Sequence, residues 1–250
     1  MVIGSDQLVR PAIHAVDPWV PGNPSIHQLL SNDERARLAT IASIVRFKKG
    51  EMIFSEGEPR NTIFNIISGV IKAYNTSQTG SEHIAAFLYP EDMLGLSEGG
   101  KYTNSAKALT SVTAYALPAQ AFQRRLSKDA DLDVQVIAKL ARRLRQAQRH
   151  ALLLAQRHSL SRLATFLQLQ EHIQSRVGPA TEIYLPMDRS DIANYVGMSL
   201  SAVSRGFRAL AEAGVIKCRD RRHVKIIDRR EFENLAQAPK SSTAAMKSAQ

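Results

Sequence analysis

From Asp129 onward the chain runs without a proline or glycine until Gly178. A stretch of that length, opened by Asp129, Asp131 and Asp133 where a helix N-terminus favours anions, reads as helix to about Ser175. Within it Ile137, Leu140, Leu144, Ala147, Ala151 and Leu154 recur at spacings of 3-4-3-4-3. That is a coiled-coil seam of about three heptads. A helix packed along its own domain would show a similar stripe. Two features favour a seam between two copies of the chain. Ala147 and Ala151 are small enough for close helix approach. Lys139, Arg142, Arg143, Arg145, Arg149, Arg157 and Arg162 flank the seam with no acid between Ile137 and Arg162, and such a set of charges does not pack inside a domain. Solvation is the ordinary role of these cations, and attraction to DNA is the added one. His158 continues the heptad spacing after Leu154 and reads as an interface residue.

The chain has a different character on either side of this helix. From about Ile41 to Pro118 short apolar runs such as Met52-Ile53-Phe54, Val70-Ile71-Lys72-Ala73-Tyr74 and His83-Ile84-Ala85-Ala86-Phe87-Leu88 are punctuated by Gly50, Gly57, Gly69, Gly80 and Gly95. Short strands at such spacing predict a closed or sandwiched all-β domain. Residues 1–25, with Pro11, Pro18, Pro21 and Pro24 and no hydrophobic period, read as an irregular arm. Residues 237–250, rich in Ser, Ala and Lys, read as a disordered tail. Met52, Met93 and Met187 look like core filler.

Beyond Leu185 the period changes again. Asp188 to Val196 forms a short amphipathic helix, Gly197-Met198-Ser199 breaks it, and Ser199 is a good N-cap for a second helix over Leu200–Ala213, closed by Gly214. Val203, Phe207 and Leu210 share one face of the second helix, with Ser201, Ser204, Arg205 and Arg208 off it. Val215-Ile216-Lys217 and Val224-Lys225-Ile226-Ile227 then alternate as a hairpin with the basic tip Arg219-Asp220-Arg221-Arg222. A helix, a glycine turn and a second helix is the arrangement that lays the second helix in a DNA major groove. Ala193 is small where the helices cross, Gly197 follows four residues later, and Val203, six further on, closes the core. A helical hairpin in an enzyme can share the pattern, but the basic wing argues for DNA. Arg205, one turn into the second helix, can reach a guanine edge with both arms of its fork. The candidate DNA-binding set is Ser199, Ser201, Ser204, Arg205, Arg208, Arg221 and Arg222, with the last two meeting phosphates from the wing tip.

Charge agrees. The chain of 250 residues carries Lys+Arg 33 against Asp+Glu 23, a formal net charge of +10, which attracts polyanions. With hydrophobic residues at 44% and charged residues at 22% the composition is that of a globular protein with an ordinary core. The single cysteine, Cys218, excludes an intramolecular disulfide and any multi-cysteine zinc or iron–sulfur site within one chain. No run reaches the ~18–20 apolar residues of a membrane span. The N-terminus lacks a secretory signal, so a cytoplasmic location and no membrane partner are expected.

Leu185-Pro186-Met187-Asp188-Arg189-Ser190-Asp191-Ile192-Ala193-Asn194-Tyr195-Val196-Gly197 and Val203-Ser204-Arg205 resemble the winged helix-turn-helix of the Crp–Fnr superfamily, its Fnr and FixK-like branches above all. Phe54-Ser55-Glu56-Gly57-Glu58-Pro59, Ile67-Ser68-Gly69-Val70-Ile71-Lys72 and Glu91-Asp92-Met93-Leu94-Gly95 resemble that family's cyclic-nucleotide-binding-type β-roll. Leu152-Leu153-Leu154, Ser161-Arg162-Leu163-Ala164 and Phe166-Leu167 resemble the end of its dimer helix, so the likeness covers roughly residues 27–236 in the family's own order. The resemblance implies an α+β chain: a β-roll over 26–128, a dimerisation helix and hinge over 129–175, and a winged helix-turn-helix over 176–236. It implies a homodimeric transcription regulator on a palindromic operator of double-stranded DNA, with RNA polymerase as partner in activation. Repression by occlusion stays open. The alternative is a nucleotide-sensing β-roll in the regulatory subunit of an enzyme. No catalytic constellation supports it, and a non-enzyme is expected.

The departures from the family carry information. Relatives that bind cyclic AMP hold its phosphate with a Gly-Glu-Leu turn and an Arg-Ser pair, where this chain has Gly95-Leu96-Ser97 and Asn104-Ser105. The charge-assisted partner is gone, so binding of the cyclic nucleotide is not expected. The cysteine group of Fnr's iron–sulfur cluster is absent from the arm. Ser201 stands where the family usually has Glu, removing an acceptor for a cytosine amino group. Gly206 replaces the usual apolar residue and is expected to loosen the helix. His83 could ligate haem as in some gas-sensing relatives, although a lone strand histidine is ordinarily structural; no cofactor is expected. Cys218 and His223 as nucleophile and base lack a third group to orient the base. Cys218 is a candidate redox switch if Lys217 and Arg219 lower its pKa, and an inert thiol otherwise.

Overall fold

The computed structural model of the chain describes residues 41–128, 130–175 and 181–236, without the side chains of Asp131 and Gln135. The arm expected over 1–25, the start of the roll and the tail over 237–250 lie outside the described residues. The chain divides into two compact units, one ending at Arg145 and the other beginning at Gln146.

The first unit is built on eight strands: β1 (Ser43–Phe47), β2 (Met52–Phe54), β3 (Thr62–Ser68), β4 (Ile71–Thr76), β5 (Glu82–Leu88), β6 (Met93–Leu94), β7 (Ser105–Ala108) and β8 (Val112–Pro118). They form two four-stranded sheets, ordered β1-β8-β3-β6 and β2-β7-β4-β5, with every pairing antiparallel. In β8, Val112, Ala114 and Ala116 are buried and alternate with half-exposed Thr113 and Tyr115, the period of two that fixes register. These residues join Phe54, Phe64, Ile66, Ile71 and Leu88 in one cluster. β3 is buried on both faces because a second cluster lies behind it, made by Ile63, Leu117, Phe122, Leu132 and Val136. Phe122 belongs to a helix absent from the sequence reading, α1 (Ala119–Leu126). Its fully buried ring contributes about 1.5–3 kcal/mol. Met52 is 43% exposed rather than core filler, whereas Met187 is buried.

The long helix does not run through to Ser175. It is α2 (Ala130–Ala155), then non-helical residues 156–158, then α3 (Ser159–Ser175). With no proline or glycine present, side chains hold the break. The Gln156 carbonyl accepts from Arg162 Nε at 2.7 Å, and the Gln156 amide donates to Thr165 Oγ1 at 2.9 Å.

The second unit adds β9 (Ile183–Tyr184), α4 (Arg189–Val196), α5 (Leu200–Glu212), β10 (Ile216–Cys218), β11 (His223–Ile226) and α6 (Arg229–Ala236). Its sheet runs β10-β11-β9, one strand more than the hairpin expected. β9 is only two residues long and is held on its outer edge by buried Gln174, which accepts from Tyr184 N–H at 2.8 Å and donates to Tyr184 C=O at 2.7 Å. α6, also unforeseen, is clamped to α3 by the fork of Arg229 on Glu171 at 2.7 and 2.6 Å.

Candidate nucleic-acid interface

Asp188 and Asp191 form a reciprocal capping box that starts α4. Gly197 ends it in the left-handed region at φ 64°, where a side chain would be strained. Ser199 then accepts from Ala202 N–H at 3.2 Å and opens α5. Val203, Phe207 and Leu210 are buried, and so is Gly206. A Cβ at Gly206 would stand 3.0 Å from Leu163 Cδ2 and 3.7 Å from Leu160 Cδ2. The glycine expected to loosen the helix thus packs closely on leucines of α3, where an added side chain would crowd Leu163.

Leu200, Ser201, Ser204, Arg205 and Arg208 are exposed on the opposite face of α5. Their hydroxyls are engaged locally: Ser201 Oγ lies 3.1 Å from Ser199 Oγ, and Ser204 Oγ donates to Leu200 C=O at 3.0 Å. Among the described residues Arg205 and Arg208 have no hydrogen bond or ion pair within the chain. The exposed strip therefore presents two unpaired forks beside self-satisfied hydroxyls and one apolar side chain.

At the wing, Asp220 builds the turn by accepting from Arg222 N–H at 2.6 Å and His223 N–H at 2.9 Å. Those bonds, led by that of Arg222, hold the Asp220 carboxyl below its usual range. Arg221 is exposed at the tip. Arg222, expected to meet phosphate, is turned inward: its fork donates to Pro186 C=O at 2.6 Å and to Asp188 at 3.0 Å, bracing the wing against the start of α4. Arg189, which the sequence reading gave no role, lies over the Phe207 ring at 3.2 Å, and its charge favours the thiolate of Cys218. Cys218 is half-buried, and burial pushes its thiol pKa up despite Arg189. The depression expected from Lys217 and Arg219 is absent, which removes the basis for a reactive thiolate. Cys218 pairs in register with Val224, and the His223 ring engages Asp220 at 2.8 Å, so the two form no nucleophile–base pair.

On α2, Ile137 and Leu144 are 63% and 60% exposed, and Leu140, Ala147 and Ala151 are exposed with them. Val134 and Leu152, outside the heptad reading, are more exposed still at 66% and 69%. Leu154 is 40% exposed, with its Cδ2 3.2 Å from where a Gly197 Cβ would be. Leu152 and Leu154 lie about 160° apart around the helix, so Leu152 is an exposed apolar residue beside the stripe rather than its continuation. Several of the flanking cations are engaged, among them Lys139, which donates to the Glu91 carbonyl at 3.5 Å, Arg142, which pairs with the Glu91 carboxylate at 2.8 Å, and Arg162, which donates to Gln156 and Gly197. His158 is exposed in the break after α2.

In the roll, Gly95 and Ser105 are the positions that, by the resemblance, correspond to the phosphate-holding turn and pair of relatives that bind cyclic AMP. Tyr102 fills the space beside Gly95, its Cε1 3.1 Å from where a Cβ would be, and stacks on Phe54 at 3.7 Å between ring centres. Ser105 Oγ accepts from Glu56 N–H at 3.0 Å. His83 is exposed on β5 opposite Asn75. Among the described residues no group of three His, Cys, Asp or Glu could hold a metal ion, and no helix is long and apolar enough to cross a membrane.

Residues 44–129 match a family model for the cyclic nucleotide-binding domain, and residues 161–235 match one for the Crp-like helix-turn-helix domain. The chain is 32% identical over 173 residues to the nitrogen fixation regulation protein FixK of Bradyrhizobium diazoefficiens, covering 69% of this chain and 73% of that one. It is 31% identical to the transcriptional activator protein anr of Pseudomonas aeruginosa over 192 residues, 76% of this chain and 78% of that one. The solved structure of FixK2 from Bradyrhizobium japonicum superposes with a TM-score of 0.72 at 28% identity, covering 79% of this chain and 98% of that one.

Proposed function

This chain belongs to the Crp–Fnr family of transcription regulators, and on that premise we propose that it acts as a homodimer that reads a palindromic operator without cyclic AMP. The observation that carries this reading is the exposed strip of α5, with the unpaired forks of Arg205 and Arg208 on the face opposite buried Val203, Phe207 and Leu210. Arg205 contacts a guanine edge, Arg208 and Arg221 take phosphates, and Ser199, Ser201 and Ser204 line the strip. Arg222 holds the wing in place. Two copies associate through the exposed stripe of α2, from Ile137 through Leu144 to Ala151 and Leu154. Their recognition helices then enter successive major grooves about 34–36 Å apart. The protein works in the cytoplasm, and contact with RNA polymerase turns occupancy into activation.

Independence from cyclic AMP rests on the side chains around Gly95. With Asn104 in place of arginine, Ser105 engaged by Glu56, and Tyr102 beside the glycine, a cyclic phosphate lacks the Arg-Ser pair that holds it in relatives that bind it. Calorimetric titration with cyclic AMP is expected to give no binding heat, and genomic DNA fragments captured by the purified protein without any nucleotide are expected to cluster at promoters. Micromolar or tighter binding, or capture that needs the nucleotide, would overturn this part of the reading. Capture spread evenly over the genome would overturn the regulator itself.

A further inference from the structure

Arg162 sits one turn into α3, and its two donor arms point at two different helix ends. Nε donates at 2.7 Å to the carbonyl of Gln156, just past the end of α2. Nη1 donates at 3.1 Å to the carbonyl of Gly197, the left-handed residue that ends α4. Both acceptors belong to helix C-termini, where carbonyls lack intrahelical partners and the backbone dipole leaves partial negative charge. One cation thus serves two such ends, and a planar fork fixed at both arms holds them at a set separation.

Two neighbours reinforce that joint. Leu154, in the last turn of α2, lies against Gly197. His150, one turn earlier, stacks on Tyr195 of α4 at 3.9 Å between ring centres, and its Nε2 lies 2.7 Å from the Tyr195 carbonyl. Gly197 is followed after one residue by Ser199, the cap that starts α5, so the position of the Gly197 carbonyl sets where the recognition strip begins.

We propose that Arg162 is a positioning residue for DNA recognition: it fixes the helix-turn-helix to the end of α2 and so sets the spacing between the two recognition helices of a dimer. This rests on the reading of α5 as the DNA reader and α2 as the dimer helix. Arg162 itself touches no base. Its loss leaves the chemistry of the strip intact and frees the geometry between the two strips.

The test uses Arg162→Lys in the full chain, with Arg162→Gln as a second variant. Lysine keeps the charge but places one ammonium where two divergent acceptors need a fork, and glutamine removes the charge. Each protein is titrated against an inverted repeat of its preferred half-sites at the natural spacing, and against repeats lengthened or shortened by one base pair. Wild type is expected to prefer the natural spacing sharply. Both variants are expected to bind it about tenfold more weakly, as for a lost charge-assisted hydrogen bond, and to discriminate little between the three spacings. Binding to a single half-site is expected to be unchanged. Variants that keep the wild-type spacing preference would overturn the proposal alone, as would equal loss on the single half-site. A wild-type protein indifferent to spacing would overturn the operator reading beneath it.

Discussion

Leu144→Glu is expected to turn the dimer into monomers while leaving each chain folded. Leu144 is 60% exposed in the single chain, so a carboxylate there costs the isolated fold little. In a symmetric interface the same residue faces its own copy or a neighbour one turn away, and two uncompensated charges become buried together. Breaking a buried site in this way costs roughly 3–5 kcal/mol, on the order of a hundred- to several-thousand-fold in the dimer dissociation constant. Sedimentation at micromolar concentration should show monomer, with an unchanged helical circular dichroism spectrum. An intact dimer would place the interface elsewhere than α2.

Arg205→Ala is expected to lower affinity for the preferred operator about 10- to 100-fold while sparing most binding to scrambled DNA, since a bidentate guanine contact carries discrimination and little nonspecific affinity. The fork is exposed and, among the described residues, makes no hydrogen bond or ion pair, so its removal is expected to leave the fold intact. Arg221→Ala is the control at the wing tip. It should weaken both DNAs together and flatten the salt dependence by about one counterion per subunit, the behaviour of a phosphate contact. Equal losses on both DNAs for Arg205→Ala would take base reading away from α5.

The parts of this molecule that could be read from its sequence are those where a local rule and the tertiary structure agree. Gly197 needed a left-handed turn, Ser199 a cap, and Val203, Phe207 and Leu210 a shared face, and each is satisfied within a few residues. What escaped depends on partners distant in sequence. The helix break at 156–158 is held by Arg162 and Thr165, not by a helix breaker. Strand β9 exists because Gln174 and His223 flank Tyr184 from opposite sides. Arg222 looked like its neighbour Arg221 in a basic tip, and only Pro186 and Asp188 distinguish them. Cys218 lies between two basic residues in sequence, yet burial pushes its thiol up against the opposing pull of the more distant Arg189. Gly206 read as a weakness because the leucines it packs against come from α3. The exposed stripe of α2 was visible at its heptad spacing, but exposed Val134 and Leu152 lie outside that spacing and were not.

The central claim is that two copies of α5 read DNA together. Its most direct test is selection of the wild-type protein on random duplex DNA, without nucleotide, followed by sequencing of the bound pool. The expected outcome is an inverted repeat with a guanine in each half-site and half-site centres about 10–10.5 base pairs apart. A bound pool with no consensus, or with one unrepeated half-site, would contradict it.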